Sequence, residues 1–379
     1  MNFAFSEEQD AFRETLRRFF QERWSCADVR QLAETSEGFD PAVWKQLAEE
    51  LGLPGIALPE SVGGQGFGFL ELGIALEEMG RQLAGGPFLA SACLGARAIY
   101  HAASESQRDA LLPALAAGTR LAALAFSERS SAPLAADIAT LCHREGEGWR
   151  VSGEKRGVLS GQQADLFVVA ARQPGSEDTD GITLLAIERD APGVEVRPSD
   201  SLDLSRPQAD LLLRDVSAER LGGDQSAWPA LARTLDECAI ALAAEAIGAA
   251  ARCLELAVDY AKQRVQFGRP IGSFQAVKHK AAEVMLELET ARSAAYWSWW
   301  VADQEPVDRV ALAEAASVAK SACSEALSRA AAENLQIHGG VGFTWEFDCH
   351  LYYRRAKATE LFLGDPTWHR ARLAQQQGF

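Results

Sequence analysis

From about Trp228 the chain sets small apolar residues three or four apart over spans much longer than an ordinary helix. Leu235, Ala239, Leu242, Ala246, Ala249, Cys253 and Ala257 make one stripe, and Val277, Ala281, Val284, Leu288, Ala291 and Ala295 make a second. Such spacing predicts long helices with a continuous apolar face, and faces this rich in alanine suit close antiparallel packing in a bundle. Residues from Ser6 to about Arg120 are also helical in pattern. Phe12, Leu16 and Phe19 recur at helix spacing, and "PAVWKQLAEELG" opens on a proline and closes on a glycine.

Between about Leu121 and Leu221 the period changes. Short apolar runs ("LAALAF", "GWRVSG", "DLFVVAAR", "GITLLAIE", "GVEVR", "ADLLLR") alternate with clusters of turn residues. No helical pattern separates them, so they predict an antiparallel sheet or barrel rather than a parallel, dinucleotide-type sheet. The expected class is α+β, with an N-terminal helical domain over 1–120, a small antiparallel β domain over 121–226 and a helical bundle domain over 227–379.

Composition narrows the function classes. A formal net charge of −16 argues against a general nucleic-acid binder and against an anionic membrane surface as partner. No window approaches the roughly 20 apolar residues of a membrane span. The start "MNFAFSEEQD" has no basic segment followed by an apolar one, so no secretory leader is expected. Seven scattered cysteines without CxxC spacing read as buried, reduced thiols of a cytoplasmic protein. The six histidines show no metal-ligand spacing either, and His338 and His350 read as structural. The glycine-rich "PESVGGQGFG" reads as an inter-helix loop, and "YWSWW" as core plus an oligomer interface.

The break between the two stripes is unusual. "RVQFGRPIGSFQAVKH", Arg264 to His279, ends one helix at Arg264, blocks it at Pro270 and offers Ser273 as the cap of the next. It also gathers a guanidinium, an aromatic ring and the amides of Gln266 and Gln275, a set suited to a pyrophosphate and a flat ring. As residues alone, the segment reads equally as a dinucleotide contact and as a capped, salt-bridged turn.

Extended to "YAKQRVQFGRPIGSFQAVKH", the stretch resembles the signature of the acyl-CoA dehydrogenase family, with Tyr260, Arg264, Phe267, Gly268, Ile271, Phe274 and Gln275 in register. "QIHGGVGF" and "RRAK" (Arg354 to Lys357) match two further family elements, the latter where the family has Arg-Asp-Ala-Lys. The resemblance spans the chain. It implies a helical domain, a β domain and a four-helix bundle, in a homo-oligomer built as a dimer of dimers or in a hetero-oligomer with a homologous subunit. It also implies FAD as cofactor. Arg264, Gln266, Phe267, Gln275, Gln336, Gly339 and Gly340 would clamp the adenosine and pyrophosphate half of a FAD held mainly by the adjacent subunit, while Phe126 and Ser127 would lie by the flavin ring. The implied reaction is α,β-dehydrogenation of an acyl-CoA thioester, with electron-transferring flavoprotein as acceptor and a place in fatty-acid or lipid degradation. Asp236, Tyr260, Leu363 and Gly364 fall at substrate positions.

Several positions depart from the family pattern. The usual base is a glutamate, and a gapless count puts Leu363 there, whose backbone N–H alone could serve the thioester oxygen. An alternative base position on the preceding long helix falls on Cys238. Glu237 and Asp365 are the neighbouring carboxylate candidates. The flavin-side loop reads Ser127-Glu128-Arg129-Ser130-Ser131-Ala132-Pro133, and Gly157 and Leu159 stand where the family has tryptophan and threonine, while Lys155 is kept. The glycine opens room for a bulky acyl group. Four readings follow: a dehydrogenase with a displaced base, a catalytically silent FAD-clamping subunit of a hetero-oligomer, a related flavin oxidase or monooxygenase, and a helical scaffold without flavin.

Overall fold

The computed structural model describes residues 5–35, 38–130 and 132–379. The N-terminal part is helical: α1 (Glu7–Arg23), α2 (Cys26–Leu32), α3 (Pro41–Glu49), α4 (Phe69–Arg81), α5 (Ala96–Ala102) and α6 (Glu105–Ala116). Local chemistry sets several starts. Ser6 and Ser104 each form a capping box with a glutamine three residues on, and Asp40 caps α3 ahead of its first-turn proline.

The central part holds β1 (Ala122–Ala125), β2 (Leu141–Glu145), β3 (Gly148–Leu159), β4 (Leu166–Arg172), β5 (Ile182–Glu188), β6 (Val194–Ser199) and β7 (Gln208–Arg220). They form one sheet in the order β1-β4-β2-β3-β7-β5, with β6 on β7 and β5 also pairing β4, so the sheet curls towards a barrel. The antiparallel expectation fails at β1, which runs parallel to β4 from Ala122↔Leu166 to Ala125↔Val169. The crossover is supplied by the loop after β1 and the β2–β3 hairpin rather than by a helix, so no helical pattern announced it. β2 also went unread as a strand: of its residues only Cys142 is buried.

The C-terminal part consists of α7 (Trp228–Gln263), a two-stranded hairpin β8 (Val265–Gln266) and β9 (Arg269–Pro270), then α8 (Gln275–Ala302), α9 (Arg309–His338), α10 (Cys349–Leu361) and α11 (Pro366–Gln376). Every residue of the first alanine-rich stripe is buried. In the second, Val284, Leu288, Ala291 and Ala295 are buried, whereas Met285 and Leu286 lie exposed on the outer face of α8. In the "YWSWW" cluster, Trp299 is wholly buried against the N-terminal helices.

The N-terminal helices sit directly on the bundle. α4 and α7 touch at two glycines: a Cβ on Gly80 would lie 2.0 Å from Glu245 O, and one on Gly248 1.8 Å from Glu77 O. Beside that crossing, Arg355 on α10 donates to Asp203 Oδ2 at 2.5 Å and also pairs with Glu245, which Arg206 reaches as well. Two guanidinium groups and two carboxylates thus sit buried where all three parts meet. Arg355 stands where the family's run has aspartate, and its acidic partners on the β domain and α7 balance it. Among the described residues no helix is long and apolar enough to cross a membrane.

Candidate functional site

The break after α7 is a projecting hairpin. Arg264 turns extended, Val265 pairs with Pro270 and Gln266 with Arg269, and Phe267 (φ +53°) and Gly268 (φ +75°) make the tip. Left-handed backbone at the tip throws the Phe267 ring outward, so that it is 92% exposed, edge-on to Phe274 at 6.2 Å. Arg269 lies over the Phe274 ring at 4.1 Å. Arg264 is exposed and forms no ion pair with any described residue. The expected cap at Ser273 is not formed: Phe274 precedes α8, and Ser273 Oγ is buried without a partner because a 3₁₀ turn over Ile271–Ser273 carries it inward.

Tyr260 stacks on His338 at 4.1 Å, and both rings meet Phe347. His338 Nδ1 lies 2.8 Å from Asn334 O, within its own helix. This stack ties the end of α7 to the end of α9, so the hairpin and the glycines after α9 occupy one end of the bundle. Gln336, Gly339 and Gly340 are exposed there, and a Cβ on either glycine would meet nothing within 4 Å. A bare backbone, a free guanidinium, amides and an open ring fit the adenosine and pyrophosphate half of a dinucleotide.

The opposite half of the expected site is built differently. α10 ends at Leu361, and Leu363 (φ +62°) and Gly364 (φ +94°) form a left-handed strap. Leu363 is 1% exposed. Lys320, on α9, donates to Gly364 O at 3.1 Å, Glu360 O at 3.3 Å and Ser324 Oγ at 3.1 Å. His369 Nε2 lies 3.0 Å from Leu363 O. Burial pushes the His369 pKa down to about 3, so the ring is neutral and Nε2 carries the proton that the carbonyl accepts. Burial likewise pushes Lys320 down to about 7.

The strap lays Phe362 against Phe126, ring centres 6.3 Å apart. Phe362, Phe126, Leu94, Leu124, Gly157 and Leu159 close on one another and leave no cavity that would hold a water. Ser127 Oγ donates to Ser130 O at 2.8 Å within its own loop, whose Ser131 lies outside the described residues. The retained Lys155 and Glu128 are structural. Lys155 donates to Glu128 Oε1 at 2.5 Å and to Phe126 O at 3.3 Å, and Glu128 accepts the Ala139 and Thr140 N–H groups. The glycine at 157 opens onto a shallow cavity of about 730 Å³ flanked by Arg129 and Arg156.

The carboxylate candidates are both engaged. Glu237 is buried and accepts from Arg97 Nε at 2.8 Å, His101 Nε2 at 2.8 Å and Arg233 Nε at 2.9 Å. Burial opposes its ionisation, but Arg97 and His101 hold its pKa well below the usual carboxylate range. Asp365 caps α11, accepting the Trp368 N–H at 2.7 Å. In this structure neither is a free base. Cys238 is fully buried, and burial drives its thiol pKa well up. Asp236 forms a two-pronged pair with Arg372 at 2.6 and 3.0 Å, on the wall of a 320 Å³ cavity that Trp228, Leu235 and Trp368 also line. Gly364 lies under the Trp368 ring, where a Cβ would come within 2.6 Å of Cε3.

Sequence reading missed Arg97, Lys320, His369 and Arg372. For Lys320 a signal existed: it occupies an apolar register with Ala316, Cys323 and Leu327 in α9, all buried. The other three sit in ordinary helical contexts, and only folding pairs them.

The order of layers, the hairpin and the glycine turn together define one flavoprotein architecture. The chain matches the acyl-CoA dehydrogenase N-terminal domain over residues 6–119, the middle domain over 123–216 and the C-terminal domain over 227–378. It belongs to the acyl-CoA dehydrogenase family, oxidoreductases that act on CH–CH bonds. Acyl-CoA dehydrogenase IpdE2 of Mycolicibacterium smegmatis is 31% identical over 97% of this chain and 98% of its own length. A structure of the Tcur3481–Tcur3483 steroid ACAD superposes with a TM-score of 0.86 at 31% identity, covering 98% of each chain. The ChsE4–ChsE5 complex from Mycobacterium tuberculosis superposes with a TM-score of 0.87 at 27% identity, over 100% of this chain and 99% of that one.

Proposed function

We propose that this chain is the dinucleotide-clamping subunit of a FAD-dependent acyl-CoA dehydrogenase whose companion, a homologous chain, supplies the ring seat and the catalytic base. The assembled enzyme converts an acyl-CoA thioester to the trans-2-enoyl-CoA. The observation that carries this reading is the contrast between the two halves of the site: Phe267 and Arg264 stand open at the bundle end, while Leu363 occupies the base position beneath a closed Phe362–Phe126 pair.

FAD, when bound, supplies the acceptor for the β-hydrogen as hydride. In this chain Arg264 would supply a guanidinium for the pyrophosphate, Phe267 an aromatic face for the adenosine half, and Gln266, Gln275 and Gln336 amide donors and acceptors, while Gly339 and Gly340 would let the backbone come close. Proton abstraction falls to the companion, because Glu237 is held ionised by Arg97 and Asp365 is spent on capping α11. That two similar structures are described by two chain names, one of them as a complex, supports the hetero-oligomer over the homotetramer. Electron-transferring flavoprotein as acceptor and a cytoplasmic setting complete the reading.

Purification with and without a co-expressed homologue that carries the glutamate tests it. The isolated chain should be colourless, and the pair yellow and bleached by acyl-CoA under anaerobic conditions. An isolated chain that is yellow and bleached by acyl-CoA would replace this reading with that of a self-contained dehydrogenase.

A further inference from the structure

The Phe362–Gly364 strap is held in a conformation its own residues do not favour. Leucine at φ +62° is strained, since its Cβ crowds the backbone in the left-handed region. The N–H groups of Leu363 and Gly364 find no acceptor among the described residues, although both residues are buried. Unpaired buried donors add a further cost. Such a turn would relax unless something outside it held on.

Both restraints come from the bundle side, one on each strap carbonyl. His369 on α11 holds Leu363 O at 3.0 Å, and Lys320 on α9 holds Gly364 O at 3.1 Å while also reaching the end of α10 at Glu360 O. An amine with no exposed surface is costly in an alanine-rich helix face, and hydrogen bonds to two carbonyls and a hydroxyl are what it gains there. The peptide planes so fixed set the direction in which the chain leaves α10, and that direction lays Phe362 on Phe126.

We propose that Lys320 and His369 are positioning residues that pin the strap so that Phe362 stays packed on Phe126, confining flavin-ring binding to the companion's seat. This rests on the clamp reading above. The pins make the closure an active feature of the fold rather than a by-product of a missing glutamate.

The test uses the full-length chain alone with FMN, which has the flavin ring but lacks the adenosine half that the clamp would grip. Binding is read by quenching of FMN fluorescence, and strap mobility by amide hydrogen exchange of the 361–365 segment. Wild type should bind FMN weakly, whereas Lys320→Met and His369→Phe should bind about tenfold tighter or more, with faster exchange confined to the strap. His369→Gln, which keeps a donor for Leu363 O, should behave as wild type and guards against a general loss of folding. FMN binding to wild type as tight as to the two variants would overturn the proposal. So would a strap that exchanges faster in the variants without any gain in FMN binding. Neither result touches the clamp reading, which fails separately if Arg264→Ala leaves the FAD content of the co-expressed assembly unchanged.

Discussion

Arg97 Nε donates to Glu237 Oε2 across 2.8 Å, joining α5 of the N-terminal part to α7 of the bundle through two buried side chains. The pair shows why the carboxylate nearest the alternative base position is unavailable for proton transfer. Three cationic or donor groups converge on Glu237, and only His101 among them is held neutral, its pKa pushed down to about 4 by burial.

Glu237→Gln is therefore expected to destabilise the chain rather than alter catalysis. Breaking one partner out of a buried pair costs roughly 3–5 kcal/mol because the remaining charges are left uncompensated. Denaturant unfolding should register that loss, while dehydrogenation by the co-expressed assembly, assayed well below the midpoint, should hold near its wild-type rate. A hundredfold fall in activity without a stability change would return Glu237 to candidacy as the base.

Acid should loosen the same junction. His101 has a folded pKa lowered to about 4 from an ordinary 6.5, so the unfolded chain binds its proton first as pH falls. The stabilising contribution is complete above about pH 6.5 and is lost on descending towards pH 4; Glu237, also depressed, reinforces the loss below its ordinary value of 4.5. Unfolding midpoints measured from pH 7 to pH 4 should fall faster for wild type than for His101→Phe.

Lys320 predicts a slope of the same sign on the alkaline side. Its folded pKa is lowered to about 7 from 10.5, so between these values the unfolded state carries more protons and stability rises with pH. Lys320→Met removes the titrating group, and the gain in its unfolding midpoint between pH 7 and pH 9 should be smaller than that of wild type. Equal gains would mean that Lys320 does not titrate in this window.

At the clamp, energetics and stability should separate. Arg264 and Phe267 are exposed, so Arg264→Ala and Phe267→Ala should leave the unfolding of the isolated chain within about 0.5 kcal/mol of wild type. A hydrogen bond to a charged group contributes about 1.5–3 kcal/mol, so Arg264→Ala should weaken FAD retention by the assembly by roughly 10- to 150-fold. Ultrafiltration and flavin absorbance would show it.

The α4–α7 crossing offers a purely structural contrast. Gly248→Ala places a methyl 1.8 Å from Glu77 O, a backbone atom that cannot swing aside. Overpacking of this kind costs about 1–3 kcal/mol, and here the higher end is expected, as a lowered denaturant midpoint. Gly340→Ala, with open space around its Cβ, should be silent in the same measurement.

Much of this was legible in the chain itself. Apolar residues three or four apart specified α7, the core-facing half of α8 and the overall layer order, because a periodic stripe has only one way to bury itself. The residues of the hairpin and the glycine turn were readable too, since local backbone chemistry makes them, though Ser273 was misjudged as a cap. What the one-dimensional string could not carry was pairing between distant segments. Nothing local tells Glu237 that Arg97, 140 positions earlier, will bind it, or tells β1 that it will lie parallel to β4. A carboxylate is a candidate base in sequence and an ion-pair partner in space, and only the surroundings that folding assembles, by burying some charges and matching others, decide between the two.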